Sequence, residues 1–301
     1  VLNSNYYNFK HIVYAAVWYS PLAMQKAQDR DMEAYPVNYV LNYKTRVGRM
    51  LDFSGRFKYL EGISLFEAGL EKTLRNDKWS IGYKAFGNTA PFFTAGDALH
   101  QRFYQNYALY SNVFKPNAIN ATLNLSYQHP FRYRKGNSVF YIGLRNASLF
   151  SNYNYSGVTA KLNSNNPLGK KLLLKSRVFA QYMSGNIAPE SALYLAGANS
   201  EELIENKYTR SQGWVPSTWV GYGNTGAYPF HMGGGLNIRG MAGYLSTNSS
   251  DNDTFTIISG NKGASINLEL EFGKLFKIKA GKLGNIFKLN PYLFADAGIL
   301  G

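Results

Sequence analysis

The sequence predicts an all-β protein, an antiparallel transmembrane β-barrel with a long loop turned into its lumen. Three observations predict it. First, polar/apolar alternation of period two recurs along the 301 residues, the period at which successive strand side chains change faces. Second, aromatics make up 16% of the chain, with 24 Tyr and 19 Phe, yet mean hydropathy is only −0.28. No window approaches the ~20 apolar residues of a membrane helix, whereas a barrel wall alternates lipid-facing and lumen-facing residues that cancel in such an average. Third, many alternating runs reach the ~9–11 residues with which a tilted strand crosses a bilayer, more than the ~5–6 of an ordinary globular strand.

The runs fall in order at 8–18, 37–44, 53–60, 63–74, 78–86, 102–114, 121–128, 138–148, 153–162, 171–183, 264–273 and 290–300. Val37, Tyr39, Leu41 and Tyr43 alternate with Asn38, Val40, Asn42 and Lys44; Ala121, Leu123, Leu125 and Tyr127 alternate with Thr122, Asn124, Ser126 and Gln128. Arg75-Asn76-Asp77-Lys78 and Arg134-Lys135-Gly136-Asn137 read as tight hairpin connections. Longer polar stretches at 20–35 and 87–100 read as loops, and short turns on one side with long loops on the other are typical of outer-membrane barrels. Trp18, Tyr19, Tyr59, Trp79 and Tyr133 stand near run ends, where an aromatic girdle would meet the headgroups. A large soluble sandwich or propeller is the competing architecture, and the chain shows no blade-like repeat.

Residues 184–262 break the alternation. They are rich in Gly, Asn and Ser, with one possible helical turn at Ser200-Glu201-Glu202-Leu203-Ile204-Glu205 that Ser200 would cap. Trp214, Trp219, Tyr222, Tyr228 and Phe230 argue for an ordered loop, partly inserted into the lumen. The whole of 1–301 is expected to be one barrel domain including this loop, with further polypeptide at both ends; Val1 follows no leader and no initiator Met.

Net charge is +14 and the isoelectric point about 9.6. The basic residues are scattered over many alternating segments, so a polar lumen and loops near anionic lipid account for them better than a nucleic-acid partner does. The chain has no cysteine, hence no disulfide and no thiolate metal site. His11, His100, His129 and His231 are isolated, and there is no His-Glu-x-x-His helix, nucleophile elbow or phosphate-binding Gly-Lys-Ser/Thr loop. Asp251 and Asp253 with Asn248 and Asn252 read as a solvated turn rather than a Ca²⁺ loop. No catalytic residue, metal or cofactor is expected in this chain.

Two separated motifs carry the functional reading. One is Gly233-Gly234-Gly235-Leu236-Asn237-Ile238-Arg239-Gly240-Met241; the other is Phe294-Ala295-Asp296-Ala297-Gly298, with Ile266-Asn267-Leu268-Glu269-Leu270-Glu271-Phe272 between them. Tyr292, Phe294 and Asp296 share one strand face, and Glu269 and Glu271 lie opposite Ile266, Leu268, Leu270 and Phe272. Ile238-Arg239-Gly240-Met241 resembles the (Val/Ile)-Arg-Gly-(Tyr/Phe) signature of the outer-membrane insertase and translocator superfamily, which includes BamA-like assembly factors and two-partner-secretion transporters. Phe294 to Gly298 resembles the Phe-x-Asp-x-Gly motif of its thirteenth strand. Glu271 stands where the family often places a lumenal glutamate, and Asn186 to Ala198 resembles the opening of the loop that carries the signature.

The resemblance implies a latch, Arg239 reaching Asp296 and Glu271 inside a barrel of about sixteen strands, of which about twelve to thirteen are legible here. Arginine suits the role because its planar fork binds two acceptors and never loses its charge. The resemblance further implies a bacterial outer-membrane location, lipids and lipopolysaccharide around the wall, and client polypeptides and accessory envelope subunits as partners. Its expected function is outer-membrane protein insertion or polypeptide translocation. Two departures from the family pattern are that the chain stops within the thirteenth strand without a terminal aromatic, and that no POTRA domain is present. Glu205-Asn206-Lys207-Tyr208-Thr209-Arg210 and Gly213-Trp214-Val215-Pro216 are similar to Bacteroidota-type barrels, some fused to a zinc aminopeptidase. A membrane anchor for such an enzyme domain therefore stays open, as does a passive porin.

Overall fold

The structure, a computed structural model, describes residues 11–19, 37–47, 51–60, 63–88, 118–147, 149–194, 199, 201, 235–238, 245–247, 255–257, 259–272 and 291–301. Fifteen strands run through them in chain order. They are β1 His11–Tyr19, β2 Val37–Val47, β3 Leu51–Leu60, β4 Ile63–Leu74, β5 Asp77–Asn88, β6 Ile119–Tyr133, β7 Gly136–Ala147, β8 Asn154–Pro167 and β9 Leu173–Asn186, then β10 Leu193–Tyr194, β11 Leu245–Thr247, β12 Phe255–Ile257, β13 Ser259–Gly260, β14 Lys262–Glu271 and β15 Tyr292–Leu300. Eleven of them form one sheet in the order β1-β2-β3-β4-β5-β6-β7-β8-β9-β14-β15, antiparallel at every step. β10 pairs with β13, and β11 with β12.

The all-β antiparallel expectation holds, and among the described residues no helix is long and apolar enough to cross a membrane. Among those residues β1 and β15 do not pair with each other, so the wall is followed through eleven strands rather than around a closed ring. The run at 102–114 lies outside the described residues. The other runs are strands, several longer than the alternation shows: β6 extends to Tyr133 and β9 to Asn186. The long loop therefore begins at 187 rather than 184, and it contains short paired strands that two- and three-residue runs cannot announce by periodicity.

One turn and one proline show how local chemistry sets the register. The β4–β5 loop is only Arg75-Asn76, since Asp77 and Lys78 already belong to β5. Arg75 takes φ 56° there, the left-handed conformation that a two-residue hairpin requires at its first position and that glycine adopts most easily. Pro130 sits inside β6, where it removes a ladder donor. β5 pairs with β6 only as far as Gln128, so Pro130 lies beyond that ladder and pairs with β7 alone.

The sheet has two unlike faces. On one, Val17, Leu41, Phe66, Ile81, Leu125, Leu144, Val178, Ile266 and Ile299 are all exposed. The other, called the inner face, carries the charged and amide side chains. Segments 187–194 and 235–238 dock against it, and among the described residues two core clusters form there. One cluster joins Phe179, Leu193 and Leu236, with Ile238 and Leu300 against it; the other joins Tyr153, Tyr155, Met183 and Ala188. Three short connections (75–76, 134–135, 168–172) fall at one end of the sheet, together with 48–50 and the longer 272–291; the long connections 20–36, 89–118 and 187–261 fall at the other end, together with the short 61–62 and 148–153.

Candidate functional site

The sheet places Arg177 of β9, Asn267 of β14 and Asp296 of β15 in one cross-strand row, since Asn267 pairs with both of the others. Period-two alternation turns all three to the inner face. Arg177 donates to Asn267 Oδ1 at 2.8 Å and to the Gly235 carbonyl at 2.7 Å, and its guanidinium lies 4.7 Å from the Phe179 ring centroid. Asn267 Nδ2 donates to the Asn237 carbonyl at 2.7 Å and to Asp296 Oδ1 at 3.2 Å. The row is thus a rack that accepts a loop by its main-chain carbonyls, a contact that reads backbone shape rather than side-chain identity.

The loop is shaped to meet it. Gly235 and Asn237 take φ 53° and 59°, left-handed positions that glycine and asparagine tolerate, so the chain turns sharply and drives Leu236 down between Phe179 and Leu193. Leu236 is wholly buried. Glycines on the strands make the room: a Cβ at Gly298 would stand 2.8 Å from Ile238 Cδ1, and one at Gly263 would stand 2.8 Å from Leu193 Cδ2 and 3.1 Å from Leu236 Cδ2.

Ile238, Asp296 and Gly298 are therefore brought together, Ile238 against Gly298 directly and Asp296 to the loop through Asn267. Arg239, Gly240 and Met241 lie outside the described residues. Glu271 stands further along β14, ion-paired with Lys175 of β9, and Phe294 of β15 is half exposed on the same face as Asp296. Sequence reasoning missed Arg177 and Asn267. The alternation places both on the polar face, but a polar face holds many such residues and pairing alone selects these two.

A second cluster holds the start of the loop. Arg145 of β7 grips Glu201 with two bonds of 2.7 Å, Lys84 of β5 reaches the same carboxylate at 3.0 Å, and Ser191 donates to it at 2.8 Å. Asn120 donates to Ser191 at 3.0 Å, and the Tyr155 hydroxyl donates to Asn120 at 2.9 Å. Glu201 is 3% exposed. Burial alone would raise its pKa, but Arg145 and Lys84 outweigh that and hold the carboxyl below its ordinary range. Nearby Glu190, in the 3₁₀ turn Pro189–Ser191, is only partly compensated, by a backbone N–H, Asn120 and the charge of Arg145. Burial pushes it up to about 8, and its Oε2 has no hydrogen-bond partner. The Tyr153 hydroxyl, also orphaned, is raised by burial and by the neighbouring carboxylate of Glu190.

Between these clusters and the β2–β5 wall lies an open basin of about 730 Å³, lined among others by Lys44, Arg56, Glu67, Ser126, Lys161 and Gln181. Arg56 and Glu67 are ion-paired across β3 and β4. Among the described residues no group of three or more His, Asp or Glu could hold a metal ion.

No family model matches the chain, and no curated protein does. Among solved structures the chain is similar to the crystal structure of BamA from Haemophilus ducreyi lacking POTRA domains 1–3. The TM-score is 0.48 at 14% identity, over 88% of this chain and 49% of that one. The chain thus spans about half the length of that crystallised chain. The fusion to a zinc aminopeptidase gains no support from these comparisons.

Proposed function

We propose that this chain is the wall of an outer-membrane barrel of the insertase/translocator type, acting in outer-membrane protein insertion or polypeptide translocation. The observation that carries the reading is the docking of Gly235–Ile238 onto the Arg177–Asn267–Asp296 row, with Gly298 hollowed out for Ile238. This is the approach to the Ile238-Arg239-Gly240 signature, and it meets the Asp and Gly of the strand motif on the inner face. The unlike faces of the sheet support a membrane location, since one is broadly apolar and exposed while the other is charged. Nothing in such a mechanism requires covalent chemistry; Arg239 would continue from Ile238 toward Asp296, and a loop held by carbonyl contacts can leave and return without breaking a bond. Client polypeptides are the expected partners.

The test is assisted folding. The full chain is reconstituted in phospholipid vesicles, and a urea-unfolded outer-membrane β-barrel client is added. Client folding should be faster than in empty vesicles, and cysteines placed at Ile238 and Gly298 should crosslink on oxidation and slow it until reductant is added. The chain has no cysteine of its own to interfere. A correctly folded chain that leaves the client's rate unchanged would remove the insertase reading.

A further inference from the structure

The short-turn end of the sheet carries a feature that loop docking does not use. Three neighbouring hairpin tips present Arg75, then Arg134 and Lys135, then Lys170 and Lys171, all exposed. Acidic residues close by are already engaged: Glu71 with Lys78, and Asp77 with His129 at 2.5 Å. Directly below the tips an aromatic row runs along the outward face. Trp79 packs on Tyr127 with ring centroids 4.3 Å apart; Tyr127, His129, Phe131 and Tyr133 follow at 6.4, 5.8 and 6.2 Å. Tyr133 ties the row to the next tip by donating to Asn166 at the end of β8. Below the row the face becomes plainly apolar, with Ile81, Leu125 and Leu144 exposed.

We propose that this rim, from β4 to β9, is a binding surface for anionic phospholipid headgroups. The tip cations take the phosphates, the rings step inward from Tyr133 at glycerol depth toward Tyr127 and Trp79, and the apolar face beyond them meets the acyl chains. Order along the strand decides for lipid over an acidic soluble partner. Cation, aromatic ring and apolar surface follow one another in the sequence that a phospholipid presents from headgroup to tail. A soluble acidic protein would use the cations and have no use for the rings and the apolar face beneath them. The inference rests on the membrane reading above, and it adds which leaflet side and which lipid charge the chain selects.

The test uses the full chain with Trp18, Trp214 and Trp219 replaced by Phe, so that Trp79 reports alone. It is folded into phosphatidylcholine vesicles containing, at equal mole fraction, either brominated phosphatidylglycerol or brominated phosphatidylcholine. Brominated phosphatidylglycerol should quench Trp79 at least about twofold more strongly, because each cation near a membrane surface favours anionic lipid severalfold. The excess should vanish at about 1 M salt, where the Debye length is about 3 Å. It should vanish also in a variant with Arg134→Gln, Lys135→Gln, Lys170→Gln and Lys171→Gln. Equal quenching by the two lipids overturns the headgroup site and leaves the membrane reading standing. No quenching by either overturns the membrane reading itself.

Discussion

Glu190 and Glu201 are both buried at the start of the loop, and their surroundings shift their pKa values in opposite directions. Arg145 and Lys84 outweigh the burial of Glu201 and hold its carboxyl low; at Glu190 burial outweighs the compensation from a backbone N–H, Asn120 and Arg145 and holds the carboxyl high. The two therefore pull stability in opposite directions with pH. For Glu201 the folded pKa is depressed, so its contribution is present above the ordinary carboxylate range and is lost on acidification. For Glu190 the folded pKa is raised from 4.5 to about 8. Between those values the folded chain holds a proton that the unfolded chain has released, so stability falls as pH rises through that window. Glu190→Gln, which is neutral at every pH, should abolish that fall, worth on the order of a few kcal/mol. The urea midpoint for unfolding from vesicles between pH 5 and 8 measures it; an unchanged slope would place the titration elsewhere. Neither role was legible in the sequence. Glu201 stood in a stretch that read as a possible helical turn capped by Ser200, and only folding brings Lys84, more than a hundred residues away, against it.

At the scale of elements, the fit between β15, β14 and the returning loop is a matter of missing side chains. Gly298 and Gly263 leave hollows that Ile238, Leu236 and Leu193 fill. Gly298→Val would put a Cβ 2.8 Å from Ile238 Cδ1 and 2.9 Å from the Ala264 carbonyl. Lifting the loop relieves the first contact but not the second, so the loop seat and the neighbouring part of the β14–β15 ladder both give way, at a cost of about 1–3 kcal/mol. Hydrogen exchange at the Leu236 and Ile238 amides should rise; protection retained there would mean the hollow does not seat the loop. The strands themselves were legible because eight residues of alternation leave little choice of face, as at Ala121 to Gln128. Asp296 meets the loop through Asn267, an intermediary with no motif of its own, while its expected partner Arg239 lies outside the described residues. Short strands such as Leu193–Tyr194 were hidden, because two residues carry no period.

For the whole molecule, the inequality of the two faces is the feature that the membrane reading depends on. Leu125 and Ser126 are adjacent near the middle of β6 and point opposite ways, Leu125 outward and 44% exposed, Ser126 inward and bonded to Ser80 at 2.7 Å. Leu125→Arg should destabilise the chain in vesicles by about 2–4 kcal/mol, the cost of a cation at bilayer mid-depth. Ser126→Arg, which faces the polar basin, should cost no more than about 1–2 kcal/mol, mostly its lost hydrogen bond. Unfolding titrations in vesicles compare the two, and equal costs would mean the outward face does not meet lipid. The two loop anchors also bear on each other. Glu201 is clamped to β5 and β7, and Gly235 to β9, so the chain between them is tethered at both ends. Once one anchor is seated, the other is presented to its site at a high effective concentration and no longer pays for search through the full volume its free chain would sweep. Release is correspondingly joint. Loosening either clamp lowers the occupancy of the other, so the loop answers as one cooperative unit to a disturbance arriving from either side of the wall.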